Sequence, residues 1–284
     1  MHSSAISAAF ISACEDELLA LKPGNAHVHS NTHKLSVEQF RTSACVSAPA
    51  LTRRGAAIGT RILDAVGATQ AAVGTNTNLG IILLCAPLAA AAESLAAGSV
   101  SALQAALAAA LDALTVDDAE QAFRAIALAA PGGLGADAAN DVHEPARVTL
   151  KAAMAGAAAR DRIAYQYTHG FADVFGRGLV ACGEAEARTE PGWRDPQWRT
   201  LLVYLTFLAA FDDSHILRRH GAATAQATRL QAAKMLEGLQ AAIDPQTLVP
   251  DLLAFDSGLK AQGINPGTSA DLTVATLFVR RFVR

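Results

Sequence analysis

Asp212 and Asp213 stand side by side directly after the apolar run 201–210, and two adjacent carboxylates repel unless a cation relieves them. A hydrated magnesium ion suits such a pair, because it takes one or two carboxylates and completes its shell with water and substrate phosphate. Arg218 and Arg219 follow within two turns and carry the paired N–H donors that clamp phosphate oxygens. The competing reading is a solvated helix end with internal Asp/Arg pairs. A second acidic group, Gly183-Glu184-Ala185-Glu186-Ala187-Arg188, brings two more carboxylates that can bind a metal or share general-base work. On most surfaces Glu-Ala-Glu is simply a solvated helical turn. The candidate metal ligands are therefore Asp212 and Asp213, and the candidate catalytic carboxylates are Glu184, Glu186 and Asp213.

Three glycine-bearing turns add the other half of a phosphate chemistry. Gly74-Thr75-Asn76-Thr77-Asn78-Leu79-Gly80 and Ile264-Asn265-Pro266-Gly267-Thr268-Ser269-Ala270-Asp271-Leu272 each open a helix, where free backbone N–H groups favour an anion. The first lacks the lysine of a P-loop, so it is not a Walker motif. Both suit plain helix capping as well. Lys22-Pro23-Gly24-Asn25 supplies a cation, a flexible glycine and an amide at a helix end. Lys22, Gly24, Asn25, Asn76, Thr77, Asn78, Arg218, Arg219, Gly267 and Ser269 are the candidate nucleotide-binding residues. His27, His29 and His33 do not sit at a conventional zinc spacing with carboxylate or cysteine and read as solvated loop histidines. His169 reads as a packing or capping residue, and Trp193 and Trp198 as anchors of the loop around Asp195-Pro196.

Helices must carry these clusters. Capping and stop signals predict helices over 3–21, 36–48 (ending before Pro49), 52–68, 79–93, 99–113 and 117–129. A glycine- and aspartate-rich surface loop follows over 131–145, then a mostly helical stretch, 148–182, broken near Gly170. Asp195-Pro196 and Asp244-Pro245 start helices over 197–210 and 246–261, with aspartate at the cap and proline at the first helical position. Thr268 or Ser269 caps a last helix. No stretch shows sustained strand alternation, so the expected fold is all-α, a single-domain multi-helix bundle over 1–284.

Composition limits the partners. Of the 284 residues 51% are hydrophobic but only 5% aromatic, so the core is built from alanine, leucine, valine and isoleucine. With 23 basic and 26 acidic side chains, a net charge of -3 and no Lys/Arg stripe, neither nucleic acid nor an anionic membrane is an expected partner. The most apolar segment, 79–92, is too short to span a bilayer and contains Pro87. Cys14, Cys45, Cys85 and Cys182 are scattered and read as reduced, buried thiols of a cytoplasmic protein. Alanine-rich helix faces can also pair two copies as a homodimer.

Taken in order, the clusters resemble the triphosphoribosyl-dephospho-CoA synthase family from about Glu17 to Phe278. Lys22-Pro23-Gly24 is similar to its early Lys-Pro-Gly, and Gly74-Thr75-Asn76-Thr77 to its central Gly-x-Asn-Thr. Asp212-Asp213-Ser214 with Arg218 to Gly221 resembles its Asp-Asp-Thr and Arg-x-Gly block. Asn265-Pro266-Gly267 through Ser269-Ala270-Asp271-Leu272 resembles its closing Ser-Pro-Gly-Gly-x-Ala-Asp-Leu. The resemblance implies an all-α enzyme that transfers the triphosphoribosyl part of ATP to a ribose hydroxyl of dephospho-CoA and releases adenine. It implies ATP and magnesium, with Asp212 and Asp213 on the metal, Glu184 or Glu186 activating the hydroxyl, and Arg218, Arg219 and the Gly267 turn on phosphates. Two stretches depart from the family: Asn78-Leu79-Gly80 replaces His-Lys-Gly, and Ala181-Cys182-Gly183-Glu184-Ala185 replaces Gly-x-Arg-Gly-Glu-Ala. The form with Asn-Thr-Asn-Leu-Gly resembles a divergent branch of archaea and one-carbon-metabolising bacteria. Two further functions therefore stand beside the first: a related enzyme of tetrahydromethanopterin-like cofactor biosynthesis, and a non-catalytic nucleotide-binding protein.

Overall fold

A computed structural model describes residues 1–30, 35–95, 98–130 and 141–283; His33 and most of the loop expected over 131–145 lie outside them. The described residues are helical and contain no strand, only single bridges from His27 to Ser30 and from Gly98 to Val283. No single helix among them is long and apolar enough to cross a membrane. The chain forms two compact units, one of Met1–Ala13, Glu38–Ala172 and Phe278–Arg284, the other of Cys14–Val37 and Asp173–Leu277.

The first unit takes the start of α1 (Ser3–Leu19) and holds α2 (Val37–Leu51, from Glu38 on), α3 (Ile58–Val73), α4 (Leu79–Glu93), α5 (Val100–Asp112), α6 (Val116–Ala129), α7 (Leu150–Ala157) and α8 (Arg162–Thr168). Helix α4 is apolar on every side and buries all of Ile81–Ala89, as the central helix of a core must. Helices α3 and α6 approach so closely that a Cβ on Gly59 would lie 2.6 Å from the Asp118 Cα. Asp118 serves both helices: it closes the capping box with Thr115 and accepts the Gly59 N–H at 2.7 Å. Arg61, almost fully buried, is neutralised by Glu93 at 2.6 Å and donates to the carbonyls of Leu51 and Ala56.

Pro87 lies inside α4 and has no N–H for the carbonyl of Leu83, four residues back. The buried Tyr167 hydroxyl donates to that carbonyl at 2.6 Å and so satisfies the acceptor that proline orphans. Burial pushes the Tyr167 phenol far above its ordinary pKa, so it stays a donor.

Several boundaries differ from expectation. Pro49 sits within α2 rather than beyond it, near the end where the helix has few hydrogen bonds left to lose. Helix α3 starts at Ile58, not 52, because Gly55 takes a left-handed backbone (φ 72°) and breaks the chain first. The stretch 148–182 breaks twice, at 158–161 and at the left-handed pair Gly170 and Phe171, before a π-helical turn, Val174–Gly178. Cys14, Cys85 and Cys182 are buried thiols, but Cys45 is exposed.

The second unit holds α9 (Leu179–Glu186), α10 (Pro196–Ala210), α11 (Ser214–His220), α12 (Ala222–Ala241), α13 (Val249–Ala261) and α14 (Gly267–Arg280) through Leu277. Helix α10 is its centre, with Trp198, Leu201–Leu205, Phe207 and Leu208 buried. Asp195 caps it through the Gln197 N–H at 3.0 Å. Asp244 caps a short 3-10 turn, Pro245–Leu248, so α13 begins three residues later than expected. Trp193 and Trp198 are both buried, and Trp193 Nε1 donates to the Ala242 carbonyl at 3.1 Å, which anchors the loop as anticipated.

Replacing Tyr167 with Phe should cost about 1–2 kcal/mol of unfolding free energy, the penalty of one unsatisfied buried carbonyl. The cost should shrink markedly in a Pro87→Ala background, where residue 87 regains its N–H; equal costs in both backgrounds, by urea denaturation, would refute the pairing.

Candidate active site

The second unit contains four of the five polar clusters, and two buried carboxylates gather three of them. Asp213 is 1% exposed. Its Oδ1 accepts the N–H groups of His215 and Ile216 at 2.9 and 3.2 Å and so caps α11. Its Oδ2 accepts the Ser269 N–H and hydroxyl, both at 2.8 Å, and so caps α14 from another part of the chain. Thr268 Oγ1 in turn accepts the His215 N–H at 3.2 Å. Two helix starts are thus interlocked, and the last helix is capped by Asp213 rather than by its own Thr268 or Ser269. Burial raises the Asp213 pKa while the four donors oppose the rise.

The second carboxylate, Asp256 on α13, accepts the Gly24 N–H at 2.8 Å. Gly24 needs its left-handed φ of 83°, and a Cβ there would come within 2.8 Å of Leu259 and Pro266. Asn25 donates to the Asn265 side chain at 2.7 Å, so the Lys22 loop lies on the Asn265-Pro266-Gly267 turn. Lys22 itself is fully buried, paired with Glu17 at 3.0 Å and donating to the Ala26 carbonyl. Its ammonium holds the loop from inside, and burial lowers its pKa while raising that of Glu17.

His27 is also fully buried, unlike the solvated residue expected from the sequence; His29 is exposed. His27 Nδ1 accepts the His29 N–H at 3.2 Å, and its Nε2 lies between Asp256 Oδ1 at 3.3 Å and Lys260 Nζ at 3.2 Å. Burial foremost holds His27 at a pKa of about 4, with the charges of Lys22 and Lys260 acting against the pull of Asp256. Asp256 would be raised by burial, but its bonds from His27, Lys260 and Gly24 prevail and take it to about 2. His215 packs its ring on Gly267, where a Cβ would meet Nδ1 at 2.6 Å, and burial together with Arg218, Arg219 and His220 lowers it to about 4. Neither Asp256 nor His215 belongs to the residues expected to bind nucleotide. The signals were present, as an Asp-x-x-x-Lys pair on α13 and a histidine two residues after Asp213, but nothing local tied them to the turns.

Asp212 differs from its neighbour. Its side chain is 38% exposed and meets Arg229 at 2.8 Å. Arg218 is half-buried and Arg219 exposed, both in the last turn of α11.

The Glu184-Ala185-Glu186 cluster is not part of this gathering. Glu186 meets Arg199, in the first turn of α10, at 3.4 Å, whereas Asp212 follows the other end of that helix, eleven residues beyond Arg199 at Ala210. Helix α12 repeats the measurement: Asp212 meets Arg229, and Glu184 and Arg188 meet Gln240, eleven residues on. At 1.5 Å per residue each separation is about 16 Å along the axis, beyond the reach of a glutamate.

Asn76, Thr77 and Asn78 lie in the first unit. Asn76 Oδ1 accepts the Leu79 N–H at 3.2 Å, as a cap of α4. Thr77 donates to Ser43 at 2.5 Å. The buried Asn78 accepts from Thr69 at 3.1 Å and donates to Ser47 at 3.3 Å. This cluster therefore continues a polar seam between α2 and α3. His169 caps α8 and stacks on Tyr165 at 3.7 Å, in keeping with a structural role.

Among the described residues no three or more histidine, cysteine or acidic side chains converge as a metal cage. The four donors on Asp213 occupy its lone pairs, so it does not fit a metal without surrendering both caps. The half-exposed Asp212 does fit magnesium in the mode that takes one carboxylate with substrate phosphates.

The second unit thus brings the glycine turns of Gly24 and Gly267 together with the interlocked starts of α11 and α14, and the family that the chain matches defines its class, a transferase. The chain belongs to the ATP:dephospho-CoA triphosphoribosyl transferase (CitG) family, which it matches over residues 3–284. The activity of that family is transfer of the triphosphoribosyl group from ATP to dephospho-CoA. The fold is shared with a crystal structure from Archaeoglobus fulgidus, provisionally described as a triphosphoribosyl-dephospho-CoA synthase. The two align with a TM-score of 0.62 and 20% identity over 85% of this chain and 99% of that one. No curated protein matches the chain significantly.

Asp213→Asn places an amide donor against the Ser269 or His215 donors and should cost on the order of 3 kcal/mol in urea unfolding. Asp212→Asn should stay within about 0.5 kcal/mol, as a surface pair does; equal losses would refute the division of labour. For His27 and His215 the folded pKa lies below the ordinary 6.5, so the unfolded chain binds more protons between about pH 4 and 6.5. Stability should therefore fall as pH drops through that window, and His27→Gln should flatten the slope by up to about 1.4 kcal/mol per pH unit.

Proposed function

We propose that the nucleotide phosphates of the family reaction bind beside the Asn25 and Asn265 side chains and the Gly267 turn, with Arg218 and Arg219 as cationic clamps. The observation that carries this is the gathering of three motif clusters by Asp213 and Asp256. Asp212 would hold magnesium together with phosphate oxygens, and the ion supplies charge neutralisation for the triphosphate. Asp213 is a positioning residue in this scheme. In the reaction a ribose hydroxyl of dephospho-CoA forms a bond to C1′ of the ATP ribose, the C1′–N9 bond breaks, and the hydroxyl proton leaves with adenine overall. Holding acceptor and donor in line is the main contribution such a site makes. In this scheme His215, kept neutral against the Gly267 turn, supplies a nitrogen base, and Glu184 and Glu186, at the other end of α10, take no part.

A second reading keeps the site and changes the acceptor to another phosphorylated intermediate, such as one of tetrahydromethanopterin-like cofactor biosynthesis. Asn78 favours it: where the family carries His-Lys, this chain has an amide consumed by Thr69 and Ser47 and then a buried leucine. Unchanged cofactor content in a deletion strain grown on one-carbon substrates would remove this alternative.

Purified protein with ATP, magnesium and dephospho-CoA should release adenine, measured by chromatography; none, where an active family member releases it, would reject dephospho-CoA as the acceptor. Asp212→Asn should lower turnover about 100-fold with an unchanged melting temperature. Glu184→Gln with Glu186→Gln should keep it within about twofold.

A further inference from the structure

Asp256 and its partners are not among the motif residues, yet they control two of the turns that the proposed site requires. Beyond the Gly24 N–H, Asp256 meets Lys260 Nζ at 2.9 Å through Oδ1 and 3.0 Å through Oδ2. Lys260 also donates to Ser30 Oγ at 2.8 Å, at the far end of the same loop. With His27 Nε2 beside Asp256, both ends and the middle of the 22–30 loop are tied to one side of α13. All three groups are buried, as are Glu17 and Lys22 behind them. Two carboxylates and two ammonium groups cancel, and His27 is neutral, so the cluster closes without net charge. A buried ion pair of this kind contributes little to stability compared with apolar side chains of the same size, and its use lies in fixing one arrangement over others.

We infer that Asp256, with Lys260 and His27, is a positioning residue for nucleotide binding, holding the Lys22-Pro23-Gly24-Asn25 loop against the Asn265-Pro266-Gly267 turn so that the Asn25 and Asn265 side chains present one prearranged surface to phosphate. The inference rests on the nucleotide site proposed above. The surface is already formed before ligand arrives, so its loss weakens binding of donor rather than the bond-making step. A binding contribution equal in ground and transition states changes KM and leaves kcat in place.

The test replaces the charged pair with apolar residues of similar bulk, Asp256→Leu with Lys260→Met, in the full chain. Calorimetric titration with MgATP should show at least about tenfold weaker binding, while the melting temperature stays near that of the parent protein. In the adenine-release assay KM for ATP should rise and kcat should stay within about twofold. The conservative Asp256→Glu should recover part of the affinity. A folded double variant that binds MgATP as tightly as the parent overturns the inference and leaves the proposed site standing. Failure of the parent protein itself to bind MgATP overturns the proposed site and the inference with it. Should the double variant unfold, Lys260→Gln decides: a raised KM at constant kcat supports positioning, and an unchanged KM refutes it.

Discussion

Everything at the candidate site hangs on the fourfold-bonded carboxylate of Asp213. Helix starts carry unpaired N–H groups and partial positive charge, and two of them brought together repel unless an acceptor stands between. Asp213 is that acceptor for α11 and α14, and its own position is set by the end of α10. The consequence is a division within an apparently symmetrical pair of residues. One aspartate is consumed in joining two helix starts, and its neighbour is turned toward solvent and Arg229.

Much of the helical layout was legible. The bounds of α4 follow from its unbroken apolar run between a polar turn and Glu93, and α10 from Asp195-Pro196, because these signals act within a few residues. The longest helix among the described residues, α12, carries no such signal: it begins after Gly221 without a side-chain cap and has only a thin buried stripe. The site was legible as a set of residue types and as a family order, but not as a geometry. Gly24 and Asp256 are bonded across most of the second unit's sequence, and Glu184 and Asp212 are near in sequence but a helix length apart. Periodicity says nothing about either relation.

The Asn76-Thr77-Asn78 segment is a motif with a packing use of its own. Its side chains serve α2, α3 and α4 in the first unit, with Thr69, Ser43 and Ser47 as partners. Buried amides with both ends satisfied rigidify a seam and specify its register. The hydrogen bonds within this seam alone account for asparagine and threonine at these positions.

The rigid span of α10 also acts as a caliper on substrates. Any single molecule that touches both the carboxylates near Arg199 and the glycine turns near Asp212 must extend about 16 Å. A phosphorylated sugar is too short for this and can engage one end alone.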